Sequence, residues 1–130
     1  MLRLSLGVLF LAHAALKVFV FTPAGTAQYF ASLGLPPALA YLTMLGEAAG
    51  GVALVLGVQT RLISLALTPI LIGAIVTAHA ANGWLFSNAG GGWEFPAFWA
   101  ATLVVQALLG DSAFALKLPS PVRLVAAAQS

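Results

Sequence analysis

The chain alternates between long apolar runs and short breaks rich in polar residues, glycine and proline. Four apolar runs stand out, and they cover residues 2–21, 38–58, 62–81 and 95–110. A helix of about 20 residues crosses the ~30 Å hydrocarbon core of a bilayer. The pattern therefore predicts an all-α fold, an integral membrane bundle of four transmembrane helices. The fourth run is the shortest, so its limits are the least defined.

The first break predicts a small additional helix. Residues 22–25 end the first run, and Thr26–Leu33 has the pattern of a short amphipathic helix with Tyr29 and Phe30 at the membrane surface. Residues 34–37, with a glycine and two prolines, turn the chain back. We therefore expect a short interfacial helix in the first outer loop.

The amino-acid composition is that of a membrane protein, and it excludes several kinds of metal and cofactor site. Of the 130 residues, 62% are hydrophobic and 6% are charged, whereas a soluble domain carries about 25% charged residues. The net charge of +2 is scattered along the chain, so we expect no nucleic-acid partner. There is no cysteine, which excludes thiolate metal sites, iron–sulfur clusters and covalently attached c-type haem.

The positions of the basic residues predict the orientation. Four crossings place Arg3, Arg61, Lys117 and Arg123 on one side, and the loops on the other side contain no lysine or arginine. The positive-inside rule then makes both termini cytoplasmic. We expect one transmembrane domain over residues 1–116, with an uncleaved first helix, and a cytoplasmic tail over residues 117–130.

Several ionisable residues lie inside the apolar runs. His13 and Lys17 stand four residues apart, Glu47 lies near the middle of the second run, and His79 lies near the end of the third. Exposing each to lipid would cost about 3 kcal/mol or more. Counting the rise along each helix places all of them in the outer half of the bilayer. We expect them to share a polar pocket, closed above by the loop that ends at Glu94.

These residue types suggest proton chemistry on a lipid-soluble ligand. Histidine exchanges protons near neutral pH, lysine can donate to an oxygen, and a carboxyl can tune or relay. The candidate catalytic residues are His13, Lys17, Glu47 and His79. The candidate ligand-binding residues at the rim are Asn82, Trp93 and Glu94. A quinone fits this set, because it needs a flat aromatic wall, access from lipid and a supply of protons.

Simpler interpretations of the same residues remain open. Lys17 can snorkel to the headgroups, or pair with Glu47 as a purely structural contact. Each histidine alone can be a satisfied core residue, residues 82–83 can form a turn, and Trp93 can anchor at the interface. A haem or a metal held by both histidines is disfavoured, because their calculated depths differ by about 9 Å. We therefore predict no metal site.

Several segments, taken in order, resemble the DoxX family of four-helix bacterial inner-membrane proteins. The similarity extends from about residue 4 to residue 110. The matching features are Phe10, His13 and Lys17, the segment 26–38, Glu47 with Gly50-Gly51, Gly57 with Thr60-Arg61, His79 with Asn82-Gly83, and the segment 91–96. The resemblance implies residence in the inner membrane and carries no residue roles.

The resemblance also implies possible activities. Members of the family include a subunit of a thiosulfate:quinone oxidoreductase, proteins tied to quinone or catechol stress, and a protein that bridges a superoxide dismutase and a sulfurtransferase. Our leading hypothesis is a quinone-linked membrane oxidoreductase component, one subunit of a redox complex. The alternatives are a non-catalytic scaffold for redox or stress enzymes and a small proton-coupled exporter.

Overall fold

The computed structural model describes residues 1–111 and Ala115, and its regular structure there is entirely helical. Within these residues the α-helices are α1 (Leu2–Ala15), α2 (Pro23–Ser32), α3 (Ala38–Leu56), α4 (Thr60–Ala74) and α5 (Glu94–Leu109). A π-helical turn, Leu16–Val20, continues α1; a second, Ile75–His79, followed by a 3-10 turn, Ala80–Asn82, continues α4. The all-α prediction is confirmed. The predicted tail, residues 117–130, and its boundary at residue 116 lie outside the described residues.

Three helical stretches are long and apolar enough to cross a membrane. They are Leu2–Val20, Ala38–Leu56 and Thr60–Asn82, of 19, 19 and 23 residues, and the apolar helix Glu94–Leu109 is shorter. Many of their large apolar side chains face outward, including Leu45, Phe98 and Leu108, which are 66%, 70% and 76% exposed. Such surfaces suit contact with lipid. The chain is therefore a membrane protein built as a helical bundle.

The short helix α2 begins three residues earlier than expected, at Pro23 rather than Thr26. Proline suits the first helical position because its missing N–H would be unpaired there. The Thr22 hydroxyl oxygen accepts a hydrogen bond from the Gly25 N–H at 3.1 Å, which caps the helix. The residues that end the first apolar run, Thr22 and Pro23, therefore also begin α2.

The helices pack in the order α1, α3, α4, α5, with α2 against α3. Glycines set the closest approach, since a Cβ on Gly7 of α1 would lie 2.9 Å from the Gly51 carbonyl oxygen of α3. At the next interface Leu67 of α4 covers Gly50. The buried core between the four long helices consists of Leu6, Phe10, Leu54, Leu67, Leu71, Trp99, Ala100 and Leu103.

The two ends of the bundle differ in chemistry. At one end, here called the arginine end, the Arg3 guanidinium donates to the carbonyl oxygens of Leu54 and Val55, both at 2.8 Å. Arg61 similarly donates to Ala107 at 3.0 Å. Both arginines therefore satisfy the final carbonyls of a neighbouring helix. The opposite end, here called the loop end, carries residues 83–93.

Candidate functional site

An ion pair joins α1 to α3 in the half of the bundle near the loop end. Lys17 Nζ lies 2.9 Å and 2.8 Å from the two carboxylate oxygens of Glu47. The side chains are 19% and 5% exposed. Side chains lean toward the N-terminus of their own helix, so on these antiparallel helices the two groups lean toward each other. This pairing replaces the snorkelling interpretation of Lys17.

Lys17 has donor capacity left after this pairing. An ammonium group carries three N–H donors, and Glu47 takes two of them. The π-helical turn around Lys17 is tied to α2, because the Thr26 hydroxyl lies 3.1 Å from the Lys17 carbonyl oxygen and 2.9 Å from that of Thr22. The backbone at Lys17 is therefore bonded to α2, and Nζ keeps one N–H that Glu47 does not take.

His13 faces α5 rather than the ion pair. Its Nδ1 lies 2.9 Å from the Leu9 carbonyl oxygen, which can only accept, so Nδ1 carries the hydrogen and Nε2 is the nitrogen that can exchange a proton. Its ring centroid is 4.7 Å from that of Trp99 and 6.5 Å from that of Phe95, the latter nearly parallel. His13 is therefore a polar group set in an aromatic wall.

His79, like His13, bonds to a backbone carbonyl oxygen through Nδ1, here one in the loop. Its Nδ1 lies 2.8 Å from the Gly91 carbonyl oxygen, which again leaves Nε2 as the exchangeable nitrogen. Among residues 1–111 and Ala115, no group hydrogen-bonds to Nε2 of either histidine. Like Lys17, His79 lies in a π-helical turn, and such turns occur frequently at functional sites.

The three predicted rim residues also shape the loop. The Asn82 amide donates to the carbonyl oxygens of Ala78, Gly90 and Gly91, at 2.9, 3.1 and 3.1 Å. The Glu94 carboxylate accepts from the Phe86 N–H at 3.1 Å. Trp93 packs edge-on against Trp84, with ring centroids 4.4 Å apart. In this structure the contacts of Asn82, Trp93 and Glu94 fix the conformation of the loop, residues 83–93.

A chain of rings connects the two histidines. Centroid distances are 5.9 Å from His79 to Phe86, 5.3 Å from Phe86 to Phe95 and 6.5 Å from Phe95 to His13. We call these rings, with those of Phe10 and Trp99, the aromatic seam. Its members Phe10 and His13 of α1 and Phe95 and Trp99 of α5 lie between these two helices, whose backbones meet only sparsely. The sequence analysis assigned no site role to Phe86, Phe95 or Trp99. The four-residue spacing of Phe95 and Trp99 was the available signal for a shared face.

Trp99 leaves a donor without a partner. The residue is 4% exposed, and its buried Nε1 has no hydrogen-bond partner among the residues that the structure describes. The hydroxyls of Thr60 and Ser64, nearer the arginine end, are also buried and unpartnered. Buried polar groups are satisfied in the great majority of cases. Sequence reasoning did not assign a role to any of these three groups.

The predicted residues form two groups. Lys17 and Glu47 bond directly to each other, whereas His79, Asn82 and Glu94 bond to the loop. His13 is connected to the loop by aromatic contacts. An open groove of about 480 Å³ lies elsewhere, along Leu4, Ser5, Val8, Leu9 and Ala12 of α1. A single pocket shared by all the predicted residues therefore stays a prediction.

Within residues 1–111 and Ala115, no three histidine, aspartate or glutamate side chains are grouped so that they could hold a metal ion. The polar groups described above instead provide hydrogen-bond donors, one carboxylate and exchangeable histidine nitrogens beside flat rings.

Comparison with known proteins identifies the family. The profile of the DoxX family matches residues 1–80. The chain belongs to the DoxX family. A DoxX-type relative in Bacillus subtilis (strain 168), named "Putative oxidoreductase CatD", is 33% identical over 116 residues, covering 89% of this chain and 81% of the relative. No solved structure gives a significant match.

Proposed function

We propose that this DoxX-family membrane protein is a quinone-binding component of a membrane oxidoreductase. The observation that carries the proposal is His13, which presents an exchangeable nitrogen within the aromatic seam between α1 and α5. Flat rings suit a flat ligand, and apolar walls with a few placed polar groups are typical of small-molecule sites. The oxidoreductase name of CatD supports the same class of activity.

The residues fit the needs of a quinone. Quinone reduction takes up two electrons and two protons, and the electrons would come from a donor protein in the same complex. His13 Nε2 can pass a proton to a ligand oxygen, and the third N–H of Lys17 can donate to an oxygen. Glu47 balances the lysine charge, so the ammonium remains tolerable in an apolar bundle. His79 can exchange protons at the loop end.

Location and orientation belong to the same proposal. We place the protein in the bacterial inner membrane with both termini cytoplasmic. The grouping of Arg3 and Arg61 at one end supports this orientation through the positive-inside rule. His79 and residues 83–93 would then lie at the outer face.

A binding titration tests the proposal. Purified protein in quinone-free nanodiscs is titrated with a short-chain benzoquinone, and the Kd is compared among wild type, His13→Leu, Lys17→Met and Phe98→Leu. Phe98 neighbours Trp99 in sequence but is 70% exposed, which makes it the matched control. We expect saturable binding, a loss of about tenfold or more for the first two variants, and an unchanged Kd for the control. Absence of saturable binding by the wild type would reject the function.

A membrane scaffold is the second candidate, and the loop favours it. His79, Asn82 and Glu94 all bond to backbone atoms of the loop, which fixes the shape of a surface that carries Trp84, 53% exposed. Site-specific cross-linking from Ser87→Cys in intact cells tests this role. A discrete adduct with a redox enzyme would support a scaffold, and no adduct other than with lipid or the chain itself would remove it.

A further inference from the structure

Trp99 is buried, yet its indole N–H makes no hydrogen bond within the described residues, a combination that a bound ligand would resolve. Its indole is buried at 4% exposure, yet Nε1 finds no acceptor within the described part of the chain. An indole N–H is a donor only, and a buried tryptophan usually finds a partner for it. Among residues 1–111 and Ala115, no acceptor atom hydrogen-bonds to this N–H, and that includes Nε2 of the neighbouring His13.

The surroundings of Trp99 explain why the protein does not supply that atom. The rings in contact with it are Phe10, Phe95 and His13, with centroids 4.6, 5.8 and 4.7 Å away. Two of these are hydrocarbons. His13 keeps its Nδ1 on Leu9. The Thr102 hydroxyl donates to the Trp99 carbonyl oxygen, and its oxygen does not accept from the indole N–H.

The position of Trp99 also suits a ligand that arrives from the membrane. It lies between α1 and α5, the pair of neighbouring long helices whose backbones meet most sparsely. Its sequence neighbour Phe98 is 70% exposed on the apolar surface. A flat, lipid-soluble molecule entering between these helices would meet the aromatic seam first and the indole N–H within it.

We propose that Trp99 Nε1 donates a hydrogen bond to a carbonyl oxygen of the bound quinone, and that Trp99, together with His13, fixes where the quinone ring lies. This inference rests on the proposed function and deepens it. It assigns the ligand an acceptor oxygen at the α1–α5 seam. A molecule of the same shape without oxygen would not engage the indole.

The direct test observes the indole itself. Protein labelled with 15N in detergent micelles gives three indole N–H resonances, one for each of its three tryptophans, assigned with Trp84→Phe and Trp93→Phe. The probes are 2-methyl-1,4-naphthoquinone and 2-methylnaphthalene, which share a ring system and differ in the two carbonyl oxygens. We expect the Trp99 resonance to move downfield with the quinone and not with the hydrocarbon.

A substitution gives the second readout. Trp99→Phe retains a ring and removes the donor, and Trp84→Phe is the matched control in the loop. We expect Trp99→Phe to weaken quinone binding about tenfold while the control stays unchanged, with helical content monitored by circular dichroism. Because the resonance shift needs no substitution at Trp99, the inference remains testable if Trp99→Phe does not fold.

The outcomes separate this inference from the function on which it rests. Saturable quinone binding without a Trp99 shift, or with full affinity in a folded Trp99→Phe protein, overturns the inference and leaves the quinone function standing. An equal shift with both probes also overturns it. No saturable binding to the wild type overturns both.

Discussion

At the scale of single residues, the Lys17–Glu47 pair is a charged contact between the continuation of α1 and α3 in the half of the bundle near the loop end. Its two bonds, 2.8 and 2.9 Å long, leave the carboxylate 5% exposed. A buried charge that loses its partner is costly, whereas replacing both charges by apolar groups is often neutral. The pair therefore has a testable energetic signature.

We expect Lys17→Met and Glu47→Leu each to lower the free energy of unfolding by roughly 3 kcal/mol, and the double variant to recover most of that loss. Reversible denaturation in detergent, followed by circular dichroism, measures the three variants in one double-mutant cycle. Additive losses in the double variant would show that the two groups do not stabilise each other.

Arg3 provides a second prediction at this scale. Its guanidinium bonds to two carbonyl oxygens at the end of α3, and hydrogen bonds to charged groups contribute about 1.5–3 kcal/mol. We expect Arg3→Ala to lower the melting temperature clearly. Ser5→Ala is the control, since the Ser5 hydroxyl bonds only to the backbone of its own helix at 3.2 Å. Equal melting temperatures for Arg3→Ala and wild type would contradict this capping role.

The contacts of individual residues could be predicted from the sequence only in part. The depths of Lys17 and Glu47 predicted that they could pair, because helical rise converts sequence position into height. The roles of Arg3 and Trp99 were not predictable, since both depend on which helix lies beside α1. The sequence indicates only that Arg3 is a basic residue on the side predicted to be cytoplasmic and that Trp99 is an aromatic residue in the fourth apolar run.

At the scale of helices, glycine spacing sets how closely α1 and α3 approach. We expect Gly7→Ala to destabilise the bundle, because its new Cβ would lie 2.9 Å from the Gly51 carbonyl oxygen, a backbone atom that cannot rotate away. Gly73→Ala is the matched control, as nothing lies within 4 Å of its Cβ position. There the helix propensity of alanine should stabilise by about 0.5–1 kcal/mol. Comparable thermal stabilities for the two variants would contradict the proposed close packing.

The limits of the helices followed closely from the apolar runs, because bilayer thickness fixes their length. The contacts made by the glycines were harder to predict from the sequence. Gly46 and Gly50 stand four residues apart, a spacing typical of close helix approach, yet their Cβ positions meet side chains of α4, Ile70 and Leu67. The tightest backbone contact of α3 uses Gly51 instead. A face of a helix can be identified from sequence, but its partner depends on the packing of the whole bundle.

At the scale of the whole molecule, the central issue is how the bundle sits in the membrane. The chain contains no cysteine, so single cysteines report position cleanly. We expect Ser87→Cys, in the loop end, to react with a membrane-impermeant maleimide in cells whose outer membrane is permeabilised. Gln59→Cys, at the arginine end, should react only after the inner membrane is disrupted. The reverse pattern of labelling would invert the proposed orientation.

The most direct test of the quinone site is photoaffinity mapping. An azidoquinone is cross-linked to the protein in membranes, and the labelled peptides are located by mass spectrometry. The account predicts adducts confined to the seam between α1 and α5, around His13 and Trp99, that are competed by excess unmodified quinone. Uncompeted adducts spread over lipid-facing residues such as Leu45 and Leu108 would contradict it.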